Sequence, residues 1–198
     1  MSLTQALNCN VTASFFLTSE LIRKFDVYRS TSSEAMDMKL VIVGISSLCA
    51  IQAFEHFSTY CASKAARDMF YSVLAAERTA VGDTNVRVLN YAPGPMDTAM
   101  VSTILNTKHA KQDAFIAMRE SNSFVPTALS AAKLVKLILW EAYTSGGHVD
   151  YFDTTPEGPG FTIATTCCAC ENCSCGVDCA CKKLSRKLCD SCSSMCVN

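Results

Sequence analysis

Two serines closing an apolar run, and a tyrosine and a lysine four residues apart, are the side chains best suited to chemistry in this chain. The run is Leu40-Val41-Ile42-Val43-Gly44-Ile45 and it delivers Ser46 and Ser47 at its carboxyl end. Tyr60 and Lys64 follow, and spacing of four puts both on one face of a helix. An opposite charge within about 4–6 Å favours the ionised phenolate, so a phenol beside a fixed ammonium is an acid tuned toward neutral pH. The Ser47 hydroxyl, held opposite, can hydrogen-bond a carbonyl oxygen. These are the parts needed to protonate an oxygen while hydride reaches the carbon. In isolation the Tyr60–Lys64 pair fits equally well an amphipathic helix with a solvated lysine.

The elements that must position these groups are legible in outline. Residues 39–45 are near-continuously apolar, as in a parallel strand covered on both faces. Residues 48–58 form a loop in which Phe54, His56 and Phe57 could line a slot for a flat ring, with His56 read as an exposed loop histidine. Residues 59–80, rich in Ala, Met and Leu, predict a long helix. Cys49 and Cys61 are small packing residues in this reading. Asn85–Tyr91 is a second strand, stopped by Ala92-Pro93-Gly94-Pro95, where two prolines around a glycine forbid helix and let a ligand approach the backbone.

The flanks complete the pattern. Leu3, Leu7, Val11, Phe15, Leu21 and Ile22 predict a helix over 2–25 with an apolar stripe. Asn10 interrupts it, either facing solvent or bending it. Polar residues 26–38 predict a loop. Residues 99–124 suggest a helical lid. A helix from Pro126 to about Tyr143 buries Leu129, Leu134, Leu137, Ile138 and Trp140, and Gly146-Gly147 ends it. His148–Phe152 is a last strand carrying Asp150, a type depleted in strands. On its own Asp150 reads as a solvated acid at a strand edge.

Four blocks in order, Ser46–Ala50, Tyr60–Met69, Val86–Thr98 and Gly147–Asp153, resemble the short-chain dehydrogenase/reductase family, in its pterin-reducing branch, over roughly residues 5–153. The resemblance implies an α/β fold with a Rossmann-like doubly wound parallel sheet. It implies an NADPH-dependent carbonyl reductase acting on a small pterin or carbonyl substrate, in tetrahydrobiopterin synthesis. Tyr60 would donate the proton. Lys64 would lower the Tyr60 pKa and bind the nicotinamide ribose, and Ser47 would orient the carbonyl. Asn10 would bend its helix and hold a relay water. Pro93, Gly94 and Met96 would flank the nicotinamide, Thr98 would touch the cofactor phosphates, and Asp150 would grip the pterin. Family members commonly pair through their long helices, so the resemblance allows a homodimer.

The family's sheet normally opens with a strand, a glycine-rich turn and a helix. Gly44 is the only glycine before residue 82. The chain is therefore expected to be the C-terminal half of such a domain, an incomplete sheet whose activity as it stands is in question. The competing expectation is a non-catalytic fragment whose tail binds metal.

Composition narrows the partners. A formal net charge of −1 argues against nucleic acid or an anionic membrane surface. No apolar run approaches the ~18 residues of a membrane span. Met1–Leu21 has no charged leader, so the expected location is cytoplasmic, where thiols stay reduced. Ten of the 13 cysteines fall in the last 32 residues: Cys167, Cys168, Cys170, Cys173, Cys175, Cys179, Cys181, Cys189, Cys192 and Cys196. The expected organisation is a partial reductase domain over 1–153, a linker over 154–166 and a mostly irregular cysteine-rich tail over 167–198. Repeated Cys-x-Cys suits thiolate clusters on Zn²⁺ or Cu(I). A disulfide knot and an unstructured extension remain the other readings.

Overall fold

A computed structural model of the chain describes residues 3–35, 37–106 and 112–154. The linker beyond 154 and the cysteine-rich tail, with its ten candidate ligands, lie outside the described residues. Three parallel strands lie in the order β1 (Leu40–Ile45), β2 (Val86–Ala92), β3 (His148–Asp150). Ile45 pairs with Tyr91, and Ala92 with Asp150, so all three strands end at one edge. The α/β class and the parallel sheet expected from sequence are what is observed.

Period-two alternation splits the core between two faces. Val86 and Val88 meet Ile42, together with Ile22, Phe25, Tyr71 and Leu74 from the helices. Leu89 and Tyr91 point the other way, onto Leu137 and Tyr143. The helices on the first face are α2 (Ala13–Thr31) and α3 (Ser58–Ala80), and on the second α6 (Thr127–Leu139). Gly44 is required on the α3 face. A Cβ there would sit 2.4 Å from the Tyr71 ring and 3.1 Å from Asn90 Oδ1. The missing side chain lets α3 settle against the sheet.

Several boundaries differ from the sequence reading. The first helix begins as α1 (Leu3–Leu7), passes through a π-helical turn at Asn8–Thr12 and continues to Thr31. The polar stretch read as a loop is thus helical at its start, because Arg29 reaches Asp83 at 3.1 Å across the fold. Leu3, Leu7 and Leu21 are exposed, while Thr18, Ile22 and Phe25 face the core. The π turn adds a residue to the register and rotates the buried stripe. The proposed lid region holds α4 (Ala99–Leu105) and α5 (Gln112–Glu120). Helix α6 stops at Leu139, well before Gly146, and Glu141 takes φ 50° in the turn that follows. Leu129 is exposed rather than buried. The last strand spans three residues, not five, because Tyr151–Asp153 turn away under Lys133. Its ammonium donates to the carbonyls of Asp150, Tyr151 and Asp153 at 3.2, 2.7 and 2.5 Å. Among the described residues no helix is long and apolar enough to cross a membrane.

Candidate active site

The carboxyl edge of the sheet carries Ser47 after β1, the Pro93–Pro95 elbow after β2 and Asp150 at the end of β3. Ser47 follows β1 in extended backbone and caps the short 3-10 turn Leu48–Ala50. Its Oγ accepts from the Cys49 amide at 3.2 Å. That bond uses a lone pair and leaves the hydroxyl proton to donate. Tyr60 and Lys64 lie in the first two turns of α3, and the Lys64 Nζ sits 5.5 Å from the centre of the Tyr60 ring. Lys64 does not reach solvent: it is 8% exposed, and Nζ donates to the Ile45 carbonyl at 2.8 Å. The solvated-lysine alternative is thereby excluded.

Electrostatics at the pair are set first by burial. Burial pulls the Lys64 ammonium down to about 8, Arg67 adds to that, and Asp68 and Cys49 oppose it. Burial likewise raises the Tyr60 phenol above its ordinary value, with Ser47 and Arg67 pulling it back. The sequence reading gave that lowering role to Lys64. Here the lysine is not among the groups that lower the phenol: with its ammonium pulled down to about 8, it has lost its charge before a phenol raised above its ordinary value ionises. A raised phenol stays protonated at neutral pH, which is the state an acid must start from.

The elbow after β2 is fixed from two sides. Tyr91 Oη donates to the Ser130 carbonyl at 2.9 Å, and Ser130 Oγ donates to the Pro93 carbonyl at 2.9 Å. The Val125 amide donates to the Pro95 carbonyl at 2.8 Å. Gly94 takes φ +78°, and a Cβ there would meet Val125 Cγ2 at 2.8 Å. Pro93, Gly94 and Met96 are half-buried at this edge, and Thr98 is exposed at the start of α4. Asp150 ends β3 beside Ala92. One carboxylate oxygen accepts from the Phe152 amide at 2.9 Å, so the side chain is held by its own turn.

Asn10 sits inside the π turn, where its Nδ2 donates to the Ala6 carbonyl at 2.9 Å. The irregularity at Asn10 is a π-helical turn. His56 is exposed at φ 66°, with Glu55 at 3.2 Å. An open groove of about 580 Å³, lined by Ser72, Ala75, Ala76, Thr79, Ser145 and Gly146, runs along the far half of α3 and carries no titratable side chain.

Sequence reasoning missed three polar residues beneath this edge, Asp68, Asn90 and His148. Asp68 accepts from Ser46 Oγ at 2.5 Å and meets His148 Nδ1 at 2.6 Å. Asn90 Nδ2 reaches the Asp68 and Gly146 carbonyls, both at 3.3 Å. The available signal was an aspartate at position eight after Tyr60, which continues the buried face of an apolar helix.

Residues 2–109 match the family described as short chain dehydrogenase. The chain is 37% identical to sepiapterin reductase of Xenopus tropicalis over 153 residues, covering 76% of this chain and 54% of that protein. The chain spans about half the length of the curated relatives it matches. Among solved structures, a 4-hydroxyisoleucine dehydrogenase mutant complexed with NADH and succinate superposes with a TM-score of 0.57 at 22% identity, over 75% of this chain and 57% of that one. The Pseudomonas aeruginosa RhlG/NADP active-site complex gives 0.54 at 26% identity, over 73% and 54%.

Proposed function

The chain belongs to the short-chain dehydrogenase family, and we propose that it is, or is part of, a carbonyl reductase of the sepiapterin reductase type. The observation that carries this reading is the burial of Lys64 between the Tyr60 ring and the end of β1, one residue before the serines. A solvated helix face has no use for a desolvated ammonium.

The groups at the carboxyl edge fit the nicotinamide end of a dinucleotide. Lys64 spends one donor on Ile45 and keeps its others for a ribose diol. Pro93, Gly94 and Met96 offer a fixed backbone to a flat ring, and Thr98 a hydroxyl to phosphate. The cofactor, NADPH in this reading, supplies a hydride to the carbonyl carbon. Tyr60 gives its phenolic proton to the carbonyl oxygen, which leaves as a secondary alcohol. Ser47 donates a hydrogen bond to that oxygen and orients it. Asn10, in its π turn, supports proton return to Tyr60. Asp150 holds the amino-pyrimidinone edge of a pterin through its less engaged carboxylate oxygen, in the pathway to tetrahydrobiopterin. A cytoplasmic setting and pairing of two copies through the long helices accompany the reading.

The direct test follows NADPH absorbance with sepiapterin, for wild type and Tyr60→Phe. Turnover that vanishes in the variant supports the reductase. A folded wild type without turnover rejects it for this chain. That outcome would favour the second reading, a non-catalytic body with a metal-binding tail, which the clustering of ten cysteines in the last 32 residues supports. Elemental analysis of the same sample would count zinc or copper per chain, and a metal-free reduced tail would reject it.

A further inference from the structure

We propose that Asp68 is a positioning residue for the Tyr60–Lys64 pair, acting as counter-charge to the buried ammonium and as the strut that holds two strand ends against α3. The inference rests on the reading of that pair as the reducing site.

Tyr60, Lys64 and Asp68 are spaced four and four, so they form one stripe down α3. Lys64 and Asp68 are each 8% exposed. A buried ammonium with only a neutral acceptor is costly, and the hydrogen bond to Ile45 supplies no charge. The charged and titratable groups around Lys64 are Arg67 and Asp68 on α3, Tyr60 one turn before, and Cys49 from the 3-10 turn. Asp68 alone among these is a carboxylate. Arg67 works against the lysine.

The same carboxylate is held by two strands. Its Oδ1 accepts from Ser46 at the end of β1, the residue before Ser47. Its Oδ2 meets His148 at the start of β3, two residues before Asp150. A carboxylate at this contact accepts from the Nδ1–H of His148, and among the described residues the buried Nε2 has no partner. Asn90 is paired with His148 in the sheet register, and its buried Oδ1 also has no partner among the described residues. Through these bonds Asp68 ties the end of β1, next to Ser47, and the strand of Asp150 to the helix that carries Lys64.

The test uses the full chain, with ¹³Cε-lysine labelling and Lys64→Met to identify the Lys64 signal. Asp68→Asn should lower the Lys64 titration midpoint by about one pH unit or more, a tenfold loss of proton affinity, with an unchanged circular dichroism spectrum. Activity needs the ammonium, so the alkaline limb of kcat should move to lower pH by the same amount, with KM for the ketone unchanged. A midpoint equal to wild type overturns the proposal. If Asp68→Asn does not fold, Asp68→Glu decides: it should keep the midpoint and lower kcat about tenfold, and a shifted midpoint overturns the counter-charge. A folded wild type that titrates as described yet reduces no ketone would instead reject the reductase reading and leave the role of Asp68 standing.

Discussion

The Lys64 ammonium donates to the Ile45 carbonyl at 2.8 Å, so the helix carrying Tyr60 is pinned to the strand that delivers Ser47. The pin is made from a charge the interior disfavours. Lys64 titrates near 8 rather than at the 10.5 of a free lysine, so the folded chain holds that proton less tightly than the unfolded chain does. The sign follows: between about 8 and about 10.5 the unfolded state binds more protons, and stability contributed through Lys64 rises with pH. Below about 8 the cost of burial is present in full. Lys64→Met removes this titration. The stability difference between variant and wild type should therefore change by up to about 3 kcal/mol between pH 7.5 and pH 10, in favour of wild type at the alkaline end. Urea unfolding under reducing conditions measures it. A difference constant with pH would show that Lys64 does not titrate in this window.

Tyr60→Phe should remove ketone reduction by about 10²–10⁴-fold while leaving the fold intact, because only the donor proton is lost. Ser47→Ala should retain more activity, since Tyr60 remains, and should raise the Tyr60 pKa by removing a group that lowers it. The acidic form of Tyr60 would then persist to higher pH in the Ser47→Ala chain. Ultraviolet difference titration of tyrosinate, with Tyr60→Phe to assign the signal, checks the direction.

What the sequence made legible was periodic or local. The apolar run before Ser46, the long helix of Tyr60 and the stop at Pro93–Pro95 all follow from side-chain pattern and backbone restriction. What it hid depends on distant partners. Asp68 acquires its role from Ser46, 22 residues back, and His148, 80 residues on. Helix α2 continues through residues 26–31 because Arg29 finds Asp83, which no local propensity encodes. The direction of the Tyr60 pKa was misjudged for a related reason: spacing shows proximity to Lys64, whereas burial is a property of the assembled fold.

Gly94→Ala tests the elbow. The position needs φ +78°, and an added methyl would stand 2.8 Å from Val125 Cγ2 and 3.4 Å from Tyr151 Cβ. Left-handed backbone costs about 1–2 kcal/mol for a residue with a side chain, and overpacking adds about 1–3. Gly82 has φ +70° with nothing within 4 Å of such a methyl. Gly82→Ala should therefore lose only the backbone share. Thermal melts of the two variants should differ, with Gly94→Ala lower. Equal melting temperatures would mean that the elbow yields to the methyl without strain.

Arg78 ties α2 and α3 together at the end of the fold away from Tyr60. Its guanidinium meets Asp26 at 2.8 Å and Asp83 at 3.3 Å, and Asp83 also holds Arg29 at 3.1 Å. Burial works to raise the Asp83 carboxyl, but the Asn85 amide and the two guanidinium groups bring it below its usual value. A carboxylate held low contributes stability that is present above its unfolded pKa and lost as pH falls through the folded one. Arg78→Ala should cost about 1–3 kcal/mol at neutral pH, more than an exposed pair, because Asp83 keeps little solvent. The loss should shrink in high salt and shrink again as the pH falls through the lowered range in which the Asp83 carboxyl of the wild type protonates. Urea unfolding of wild type and variant at neutral and acid pH gives both differences. A loss that is unchanged at acid pH would assign the effect of Arg78 to packing of its aliphatic stem rather than to its charge.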